Sequence, residues 1–263
     1  MRMRSDADFD GIAASFEEEI YGSTTGAVRL AVLWEDLLTE IPGLSRGGLH
    51  VLDAGGGSGH LAVRLATLGN TVVLADPSEE MLAMAAERAR EEGAVIAVRL
   101  VRASIQEFGD AGLDGCFDVV TCHAVLEWLA DPEAALAHLV RLLEPDGDLS
   151  LMFYNRNATV LKRVLRGDFA GVLGEAPADV GSPIPLDERD VRRWLERCGL
   201  TVMSKAGIRI FHDLLPEGVA RERLEELLTV EKEFRAREPF ASLAQHIHLV
   251  ARGVRPAGIR RAT

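Results

Sequence analysis

The chain has few cysteines, and those it has do not form a chemical pattern. Its 263 residues include three, namely Cys116, Cys122 and Cys198. They are odd in number and show no CxxC spacing, which excludes a disulfide framework and a cysteine-based zinc site. We therefore expect three buried thiols without a chemical role, and no metal site.

Long apolar runs are also absent. No stretch approaches the roughly 18 uninterrupted apolar residues that a membrane-spanning helix needs. The N-terminal segment carries two arginines but neither an apolar core nor a small-residue cleavage site, so it lacks the pattern of a secretion signal. We expect a cytoplasmic protein that does not contact a membrane.

Positive charge is scarce, because the formal net charge is −12. Cations that neutralise phosphates drive binding to nucleic acids, so this balance disfavours diffuse binding to RNA or DNA. A local basic cluster nevertheless occurs in "NRNATVLKRVLRGDF", made of Arg156, Lys162, Arg163 and Arg166. It is either a nucleic-acid contact or an ordinary solvated helix face.

From Leu49 onward, short apolar runs alternate with longer helical ones. Such alternation predicts an α/β fold in which helices cover both faces of a mostly parallel, doubly wound sheet. We expect one domain over 1–263, with a helical lid (1–46), a cofactor-binding core (47–155) and substrate-side and C-terminal sheet elements (156–263). The seven predicted strands are "LHVLDA", "TVVLAD", "VIAVRLV", "FDVVTCH", "GDLSLMFYN", "LTVMSKAGIRIF" and "QHIHLVAR".

The turn after the first strand, in "VLDAGGGSGHLAVRL", is rich in glycine. Ligands bind such sheets at the carboxyl ends of the strands, and glycine lets the backbone approach a ligand closely. Gly57-Ser-Gly59-His-Leu-Ala62 fits a relaxed dinucleotide motif, so a dehydrogenase is one interpretation. The stretch from Asp53 through Gly55, Gly56 and Gly57 to Gly59 also looks like the first motif of class I S-adenosylmethionine-dependent methyltransferases.

Three later segments bear on the choice of cofactor. Asp76 ends the second strand, where its carboxylate can accept hydrogen bonds from both ribose hydroxyls of either cofactor. "ASIQEF" places Ser104 and Ile105 where methyltransferases line the adenine pocket. "CHAVLEW" places His123 at the carboxyl end of the fourth strand, next to cofactor or substrate. Asp76 suits either cofactor, whereas the other two segments favour the methyltransferase.

A closer resemblance covers nearly the whole chain, from about Phe9 to Arg252. The chain resembles the bacterial tRNA 5-carboxymethoxyuridine methyltransferases, which implies methyl transfer from S-adenosylmethionine to a carboxylate at the wobble position of the tRNA anticodon stem-loop. It also implies cofactor contacts at Arg29, Gly55, Gly56, Asp76, Ser104 and His123. The motifs that carry it are "IYGSTTGAVR", "VLDAGGGSG", "HAVLEWLADP", "LSLMFYN", "GIRIFHD" and "HIHLVAR".

The implied reaction needs positioning rather than a general base. A carboxylate with a pKa near about 4.3 is ionised at neutral pH, and the sequence shows no Ser/His/Asp or Cys/His arrangement. Arginine binds carboxylates and phosphates through two parallel hydrogen bonds, so Arg209 is the candidate for the uridine carboxylate or a nearby phosphate. Aromatic side chains stack on splayed-out bases. The further predicted substrate-positioning residues are Tyr21, Tyr154, Asn155 and His212.

One departure from the family leaves alternatives open. The loop "GVLGEAPADVGSP" lacks the lysine-rich stretch that the family carries there. Either the basic cluster in "NRNATVLKRVLRGDF" binds the tRNA backbone instead, or the substrate is a small carboxylic acid. A non-catalytic nucleotide-binding protein is a further alternative.

Overall fold

A seven-stranded mixed sheet forms the centre of the protein, in the order β3-β2-β1-β4-β5-β7-β6. The computed structural model describes residues 6, 10–11, 13–109, 115–174, 182–216 and 218–253. The first five strands are parallel, and β7 runs antiparallel to both β5 and β6. The strands are β1 (His50–Ala54), β2 (Thr71–Asp76), β3 (Val98–Arg102), β4 (Phe117–His123), β5 (Leu143–Tyr154), β6 (Leu200–Ile208) and β7 (His246–Gly253).

Helices cover both faces of this sheet, as the alternation in the sequence predicts. Several of these helices have an N-cap side chain: Ser78, Asp131 and Asp187 each accept a hydrogen bond from an N–H group of the first turn. The helices are α1 (Ala13–Tyr21), α2 (Thr24–Glu40), α3 (Gly43–Arg46), α4 (His60–Thr67), α5 (Glu79–Glu91), α6 (Ile105–Gly109), α7 (Pro132–Leu142), α8 (Arg156–Leu165), α9 (Phe169–Leu173), α10 (Glu188–Arg197), α11 (Val219–Glu222), α12 (Leu224–Phe234) and α13 (Phe240–Leu243).

The central strands are apolar on both faces because both faces are covered. One core lies between the sheet and α7 with α10, and includes Leu52, Val120 and Leu149. The opposite core lies under α4 and α5 and includes Val51 and Val72. The doubly wound, mostly parallel architecture predicted from the sequence is confirmed.

Two details differ from the sequence-based expectation. The fifth strand begins at Leu143, so Pro145 and Gly147 lie within it rather than before it. Its pairing with β4 shifts between Phe117 and Val119, and this irregularity accommodates the Pro-Asp-Gly sequence. The thiols also differ, since only Cys122 is buried whereas Cys116 and Cys198 are half-buried.

The N-terminal helices extend along a face of the sheet, and α3 lies at the end where β2 begins, because Leu44 O accepts a hydrogen bond from Asn70. Helix α2 packs against β6 and α12 and buries Val28, Val32 and Leu37. Glu17 of α1 reaches the turn after β1. Among the described residues, no helix is long and apolar enough to cross a membrane.

Candidate active site

A cavity of about 310 Å³ lies at the carboxyl ends of β1, β2 and β4. This volume falls within the range typical of small-molecule sites. The ends of the three strands contribute Asp53, Asp76 and His123 to its lining, and α2 contributes Arg29. All nine residues predicted to bind the cofactor line this cavity: Arg29, Asp53, Gly55, Gly56, Gly57, Asp76, Ser104, Ile105 and His123.

The glycines of the turn after β1 are needed mainly because of the protein's own packing. A Cβ atom on Gly55 would lie 2.5 Å from Val125, and one on Gly56 would lie 2.7 Å from the Asp53 carboxylate. Gly59 faces Ala85 in the same way, at 2.9 Å. Gly57 differs, because a Cβ there would contact only the Met81 sulfur at 3.9 Å and would otherwise meet open space. Of these four glycines, Gly57 is therefore the one at which a side chain would point into open space.

Two carboxyls stand beneath this turn. Asp76 Oδ2 accepts a hydrogen bond from Gly57 N (2.9 Å) and its Oδ1 accepts one from Ser78 N (2.9 Å). Burial nevertheless raises the pKa of Asp76. Thr121 donates to Asp53 Oδ1 (2.7 Å), while Asp53 Oδ2 is buried and has no hydrogen-bond partner in the described part of the chain. Burial raises the pKa of Asp53 to about 6.

Arg29 is a buried cation that faces the cavity. Only 7% of it is exposed, and its guanidinium lies 4.8 Å from the centre of the Tyr21 ring. In the described residues, no carboxylate forms an ion pair with it. A buried cation without an anionic partner is costly, so this position favours a ligand that carries a carboxylate.

Helix α1 is tied to the glycine turn by a polar cluster. Glu17 accepts hydrogen bonds from Ser58 Oγ (2.5 Å) and Arg88 Nη2 (2.8 Å), and pairs with His60 Nε2 (2.6 Å). The Tyr21 ring stacks on the His60 ring with centroids 3.8 Å apart. These contacts place α1 across one side of the cavity.

On the side of β3, apolar and polar groups alternate around the cavity. Ile105 is buried in the core, and Ser104 forms reciprocal hydrogen bonds with Glu107 that cap α6. Gln106 also lines the cavity, and its buried Oε1 has no hydrogen-bond partner among the described residues. An acceptor beside an apolar wall suits an adenine ring with its exocyclic amine.

His123 ends β4 at the cavity. Its Nε2 lies 2.8 Å from Ser150 Oγ. Burial, together with His248 and Arg29, holds the pKa of His123 well below its usual value, so the ring is neutral. The next residue, Ala124, has φ of +58°, which turns the chain so that Val125 packs against Gly55.

The predicted substrate-positioning residues, apart from Tyr21, lie outside the lining of this cavity. Arg209, at φ of +63°, is buried and donates to both oxygens of Asp213. Lys162 also donates to Asp213, and His212 Nδ1 lies 2.7 Å from it. Burial opposes ionisation of Asp213, but His212 and the two cations outweigh it and lower the pKa of this carboxyl. We call these four residues the Asp213 cluster.

Tyr154 and Asn155 connect the Asp213 cluster to the sheet. The Tyr154 ring lies 4.5 Å from the His246 ring, and both are largely buried. Asn155 donates to the carbonyls of Ser242 and Ala244 and accepts from Asn157 N, so its amide holds the chain at the start of α8. Burial raises the pKa of Tyr154 and lowers that of His246 well below its usual value, and the Arg29 charge opposes the first shift and adds to the second.

The basic cluster predicted on α8 is largely paired. Arg156 lies 3.8 Å from Asp187, and Arg163 lies 3.7 Å from Asp168. Arg166 is exposed at the end of α8. Part of the lysine-poor loop, 175–181, lies outside the described residues.

Sequence interpretation missed several residues that the structure brings to the site. Glu17, His60 and Gln106 line the cavity. His60 and Gln106 lie within the quoted glycine-rich and "ASIQEF" segments but were not predicted as site residues, and Glu17 lies outside every quoted motif. His248 lies behind His123, with ring centroids 5.6 Å apart. A signal for it existed: "HIHL" places two histidines on the same face of a strand that is otherwise apolar.

The side chains present fit S-adenosylmethionine. Arg29 offers a cation for the carboxylate of its amino-acid end, and Asp76 offers acceptors for ribose hydroxyls. The open space beside Gly57 lets a ligand approach the protein backbone closely. Gln106 and Ile105 provide an acceptor and an apolar surface that suit the adenine. In the described residues, no group of histidine, cysteine, aspartate and glutamate side chains could hold a metal ion.

Comparisons with known proteins agree with this site. Residues 52–151 match the family described as "Methyltransferase domain". The chain is 37% identical over 252 residues to the tRNA 5-carboxymethoxyuridine methyltransferase of Escherichia coli (strain K12), covering 94% of this chain and 96% of that protein. It is 32% identical over 166 residues to a ubiquinone biosynthesis O-methyltransferase of Methylococcus capsulatus, covering 62% of this chain and 68% of that protein.

A solved structure agrees at the level of the fold. Magnesium protoporphyrin IX methyltransferase from Synechocystis PCC 6803, with bound S-adenosylhomocysteine, superposes with a TM-score of 0.65 at 19% identity. The match covers 94% of this chain and 96% of the other. The fold predicted as that of a class I methyltransferase is confirmed.

Proposed function

The chain belongs to the tRNA 5-carboxymethoxyuridine methyltransferase family, and we propose that it methylates the carboxylate of 5-carboxymethoxyuridine at the tRNA wobble position. The methyl donor is S-adenosylmethionine, and the product is a methyl ester. The observation that carries the proposal is the buried Arg29 cation, which faces a cavity of cofactor size without a carboxylate partner in the described chain. The 37% identity to the Escherichia coli enzyme, over an alignment that covers 94% of this chain, supports the specific substrate.

Bound S-adenosylmethionine supplies an electrophilic methyl group on a positively charged sulfur. The substrate oxygen is already anionic at neutral pH, given a reference pKa of about 4.3 for such a carboxyl. The chain therefore needs no general base, and its task is to orient the oxygen and to exclude water.

On the cofactor side, the positions of the side chains around the cavity support a role for each of them. Arg29 binds the amino-acid carboxylate, Asp76 accepts hydrogen bonds from the ribose, and Ser104 with Ile105 borders the adenine. Gly55 and Gly56 keep the turn compact over Val125 and Asp53, and Gly57 leaves space for the cofactor. Tyr21 stacks over His60 and closes the cavity beside Arg29.

On the substrate side, Arg209 binds the uridine carboxylate. Without substrate, the Arg209 guanidinium donates its hydrogen bonds to Asp213. The substrate carboxylate either displaces Asp213 from Arg209 or binds beside it, where Lys162 and His212 help to balance the two negative charges. Tyr154 provides the aromatic surface for the flipped base. Asn155 fixes the backbone that carries Tyr154.

The tRNA backbone binds along α8 and α9. Arg156, Lys162, Arg163 and Arg166 provide the cations there, and Phe169 is 62% exposed beside them. An exposed aromatic ring beside basic side chains suits a single-stranded loop, because a base can stack on the ring while phosphates pair with the cations. A tRNA substrate also implies that the protein acts in the cytoplasm.

The test is methyl transfer with defined RNA. Purified protein, radiolabelled S-adenosylmethionine and tRNA from a strain that lacks this enzyme should yield the methyl ester of 5-carboxymethoxyuridine on nucleoside analysis. tRNA that lacks the carboxymethoxy group should accept no label. Absence of label in both RNAs, with the cofactor bound, would contradict the proposal.

A second candidate is a methyltransferase that acts on a small carboxylic acid. The net charge of −12 and the pairing of Arg209 and Lys162 with Asp213 favour it. Label that enters a metabolite extract, but not tRNA, would identify this activity. Binding without any production of S-adenosylhomocysteine would instead indicate a non-catalytic nucleotide-binding protein.

A further inference from the structure

A fully buried carboxyl group lies behind the loop that carries most of the Asp213 cluster. We call residues 209–213 the Arg209 loop. Glu231, on α12, accepts hydrogen bonds from three successive backbone N–H groups of this loop. Its Oε2 accepts from Ile210 N at 2.7 Å, and its Oε1 accepts from Phe211 N and His212 N, both at 2.9 Å. Glu231 is 0% exposed, so its contacts are with the protein interior.

Glu231 differs from the other glutamates of α12. Glu225, Glu226 and Glu233 are exposed, and the latter two form ion pairs with arginines at the surface. A buried carboxyl group needs hydrogen bonds to offset the loss of water, and in the described part of the chain no cation pairs with Glu231. The three backbone N–H groups therefore stabilise this side chain in the interior.

These hydrogen bonds hold the turn that brings Arg209 and Asp213 together. Four residues of extended chain span about 13 Å, yet Arg209 Nε lies 3.1 Å from Asp213 Oδ1. Arg209 has φ of +63°, a conformation that costs free energy in residues other than glycine and persists where surrounding contacts fix it. Glu231 provides such contacts on the residues after Arg209, and Gln245 N donates to Arg209 O at 2.9 Å.

The same face of α12 also holds the Arg209 loop through aromatic contacts. Phe234 lies three residues after Glu231, and its ring meets the Phe211 ring edge to face with centroids 5.6 Å apart. The Phe240 ring packs against both, with centroids at 5.7 Å from Phe211 and 5.0 Å from Phe234. Residues three apart on a helix share a face, so one face of α12 supplies a polar and an apolar anchor for the loop.

Helix α12 is in turn attached to α2, which borders the cavity. Lys232 and Arg235 of α12 both pair with Glu35 of α2, at 2.9 and 3.3 Å. At the start of α2, Thr24 Oγ1 lies 3.1 Å from His212 Nε2 in the Arg209 loop. The loop is therefore fixed relative to the helix that contributes to the cofactor side.

We propose that Glu231 is a positioning residue for the substrate carboxylate, because it holds the backbone of residues 210–212 and thereby keeps the Arg209 guanidinium where a carboxylate binds. The proposal rests on the proposed function for the identity of the substrate. Asp213 shows where such a group binds, since its carboxylate accepts three hydrogen bonds from Arg209. The effect of Glu231 on turnover should pass entirely through Arg209.

Glu231→Gln tests the acceptor role, because it keeps the size of the side chain. The amide oxygen can accept from two N–H groups, but the NH₂ group cannot accept, so at least one N–H group of residues 210–212 loses its partner. NMR of the full-length protein should show faster amide exchange in this segment and a shifted Arg209 Nε–H signal. Glu233→Gln is the matched control on the same helix, where Glu233 pairs with Arg237 at the surface, and it should change neither readout.

The functional test compares single and double variants. Glu231→Gln should lower kcat/KM on tRNA about tenfold, the size expected for one hydrogen bond to a charged group, and leave S-adenosylmethionine affinity unchanged. If Glu231 acts through Arg209, the double variant Glu231→Gln/Arg209→Gln should be no slower than Arg209→Gln alone. Independent effects would multiply to about a hundredfold loss, and that result would overturn the proposal.

Glu231→Asp is the variant to use if Glu231→Gln folds poorly. It keeps the carboxyl group but shortens the side chain by one methylene, so exchange and turnover should change in the same direction by a smaller factor. Full turnover on tRNA despite faster exchange would overturn the proposal. If no RNA is methylated, the proposed function fails; unchanged exchange and an unchanged Arg209 signal in Glu231→Gln would separately overturn the role of Glu231.

Discussion

The proposed cofactor half and the proposed substrate half of the site differ in whether their buried cations are paired with a carboxylate. On the cofactor side, the Arg29 cation has no carboxylate partner in the described chain, and a cavity lies in front of it. On the substrate side, Arg209 and Lys162 share the carboxylate of Asp213. The first half is therefore preorganised for an anionic ligand group, whereas in the second a substrate carboxylate, as proposed, would have to replace Asp213.

The carboxyls show the same contrast. Burial raises the pKa of Asp53 to about 6, whereas cations and His212 lower the pKa of Asp213 despite burial. Ionisation of Asp53 thus costs folding stability, and ionisation of Asp213 contributes to it. A ligand that carries a positive charge can offset the folding free energy lost when Asp53 ionises in the cofactor half.

The largest expected effect is on the pH dependence of stability. Asp53 stays protonated in the folded state to about pH 6 but ionises near 3.8 when unfolded, so its contribution is present below pH 3.8 and is lost as the pH rises to 6. Relative to Asp53→Asn, the wild type should lose about 3 kcal/mol of unfolding free energy across this window. Chemical denaturation at several pH values measures it.

Thr121→Val sharpens this test, because it removes the hydroxyl that donates to Asp53 Oδ1. Asp53 should then resist ionisation further, and the stability loss should extend to higher pH. Parallel stability curves for the wild type and Asp53→Asn would mean that Asp53 is not the group that titrates.

Arg29→Met should produce the next largest effect. It removes the cation proposed to bind the cofactor carboxylate while keeping an apolar stem against Tyr21. We expect about a hundredfold loss of S-adenosylmethionine affinity by calorimetry, from two charge-assisted hydrogen bonds. Arg64→Met is the matched control, because Arg64 stacks on Trp34 outside the cavity. Comparable losses of affinity in both variants would contradict the assignment of Arg29 to the cofactor carboxylate.

The glycine turn shows how far the sequence could lead. Four glycines after a strand predicted a ligand site, and a cavity lies beside them; the order of strands and helices correctly predicted the sheet. The physical reason for the glycines was only partly accessible, since Val125 and Ala85, which exclude side chains at Gly55 and Gly59, are distant in sequence. Only Gly57 has the open space that a ligand-centred interpretation expects.

Long-range polar contacts were the least predictable part. Nothing in the local pattern around Asp36 indicates that it meets a histidine 212 residues away. Arg209 is identified from its motif, but its pairing with Asp213 depends on a left-handed backbone conformation at Arg209, which favours glycine or asparagine in general. Strain of that kind is associated with functional sites.

Arg209→Gln tests the substrate half. It keeps much of the side-chain length but removes the charge and the paired donors. We expect turnover on tRNA to fall about tenfold with cofactor affinity unchanged, because a hydrogen bond to a charged group contributes about 1.5 kcal/mol or more. Arg237→Gln is the control on an exposed ion pair with Glu233. Equal loss of turnover and of cofactor affinity would erase the distinction between the two halves.

The smallest expected effect concerns the outer edge of the substrate half. Arg166 is exposed at the end of α8, so Arg166→Ala should weaken tRNA binding about threefold near physiological salt. The slope of log affinity against log salt should become shallower by about 1, as for one lost phosphate contact. Arg197→Ala, at the exposed end of α10, should leave the slope unchanged. An unchanged slope in Arg166→Ala would place the RNA elsewhere, and the contrast would then be confined to the buried groups around Arg29 and Asp213.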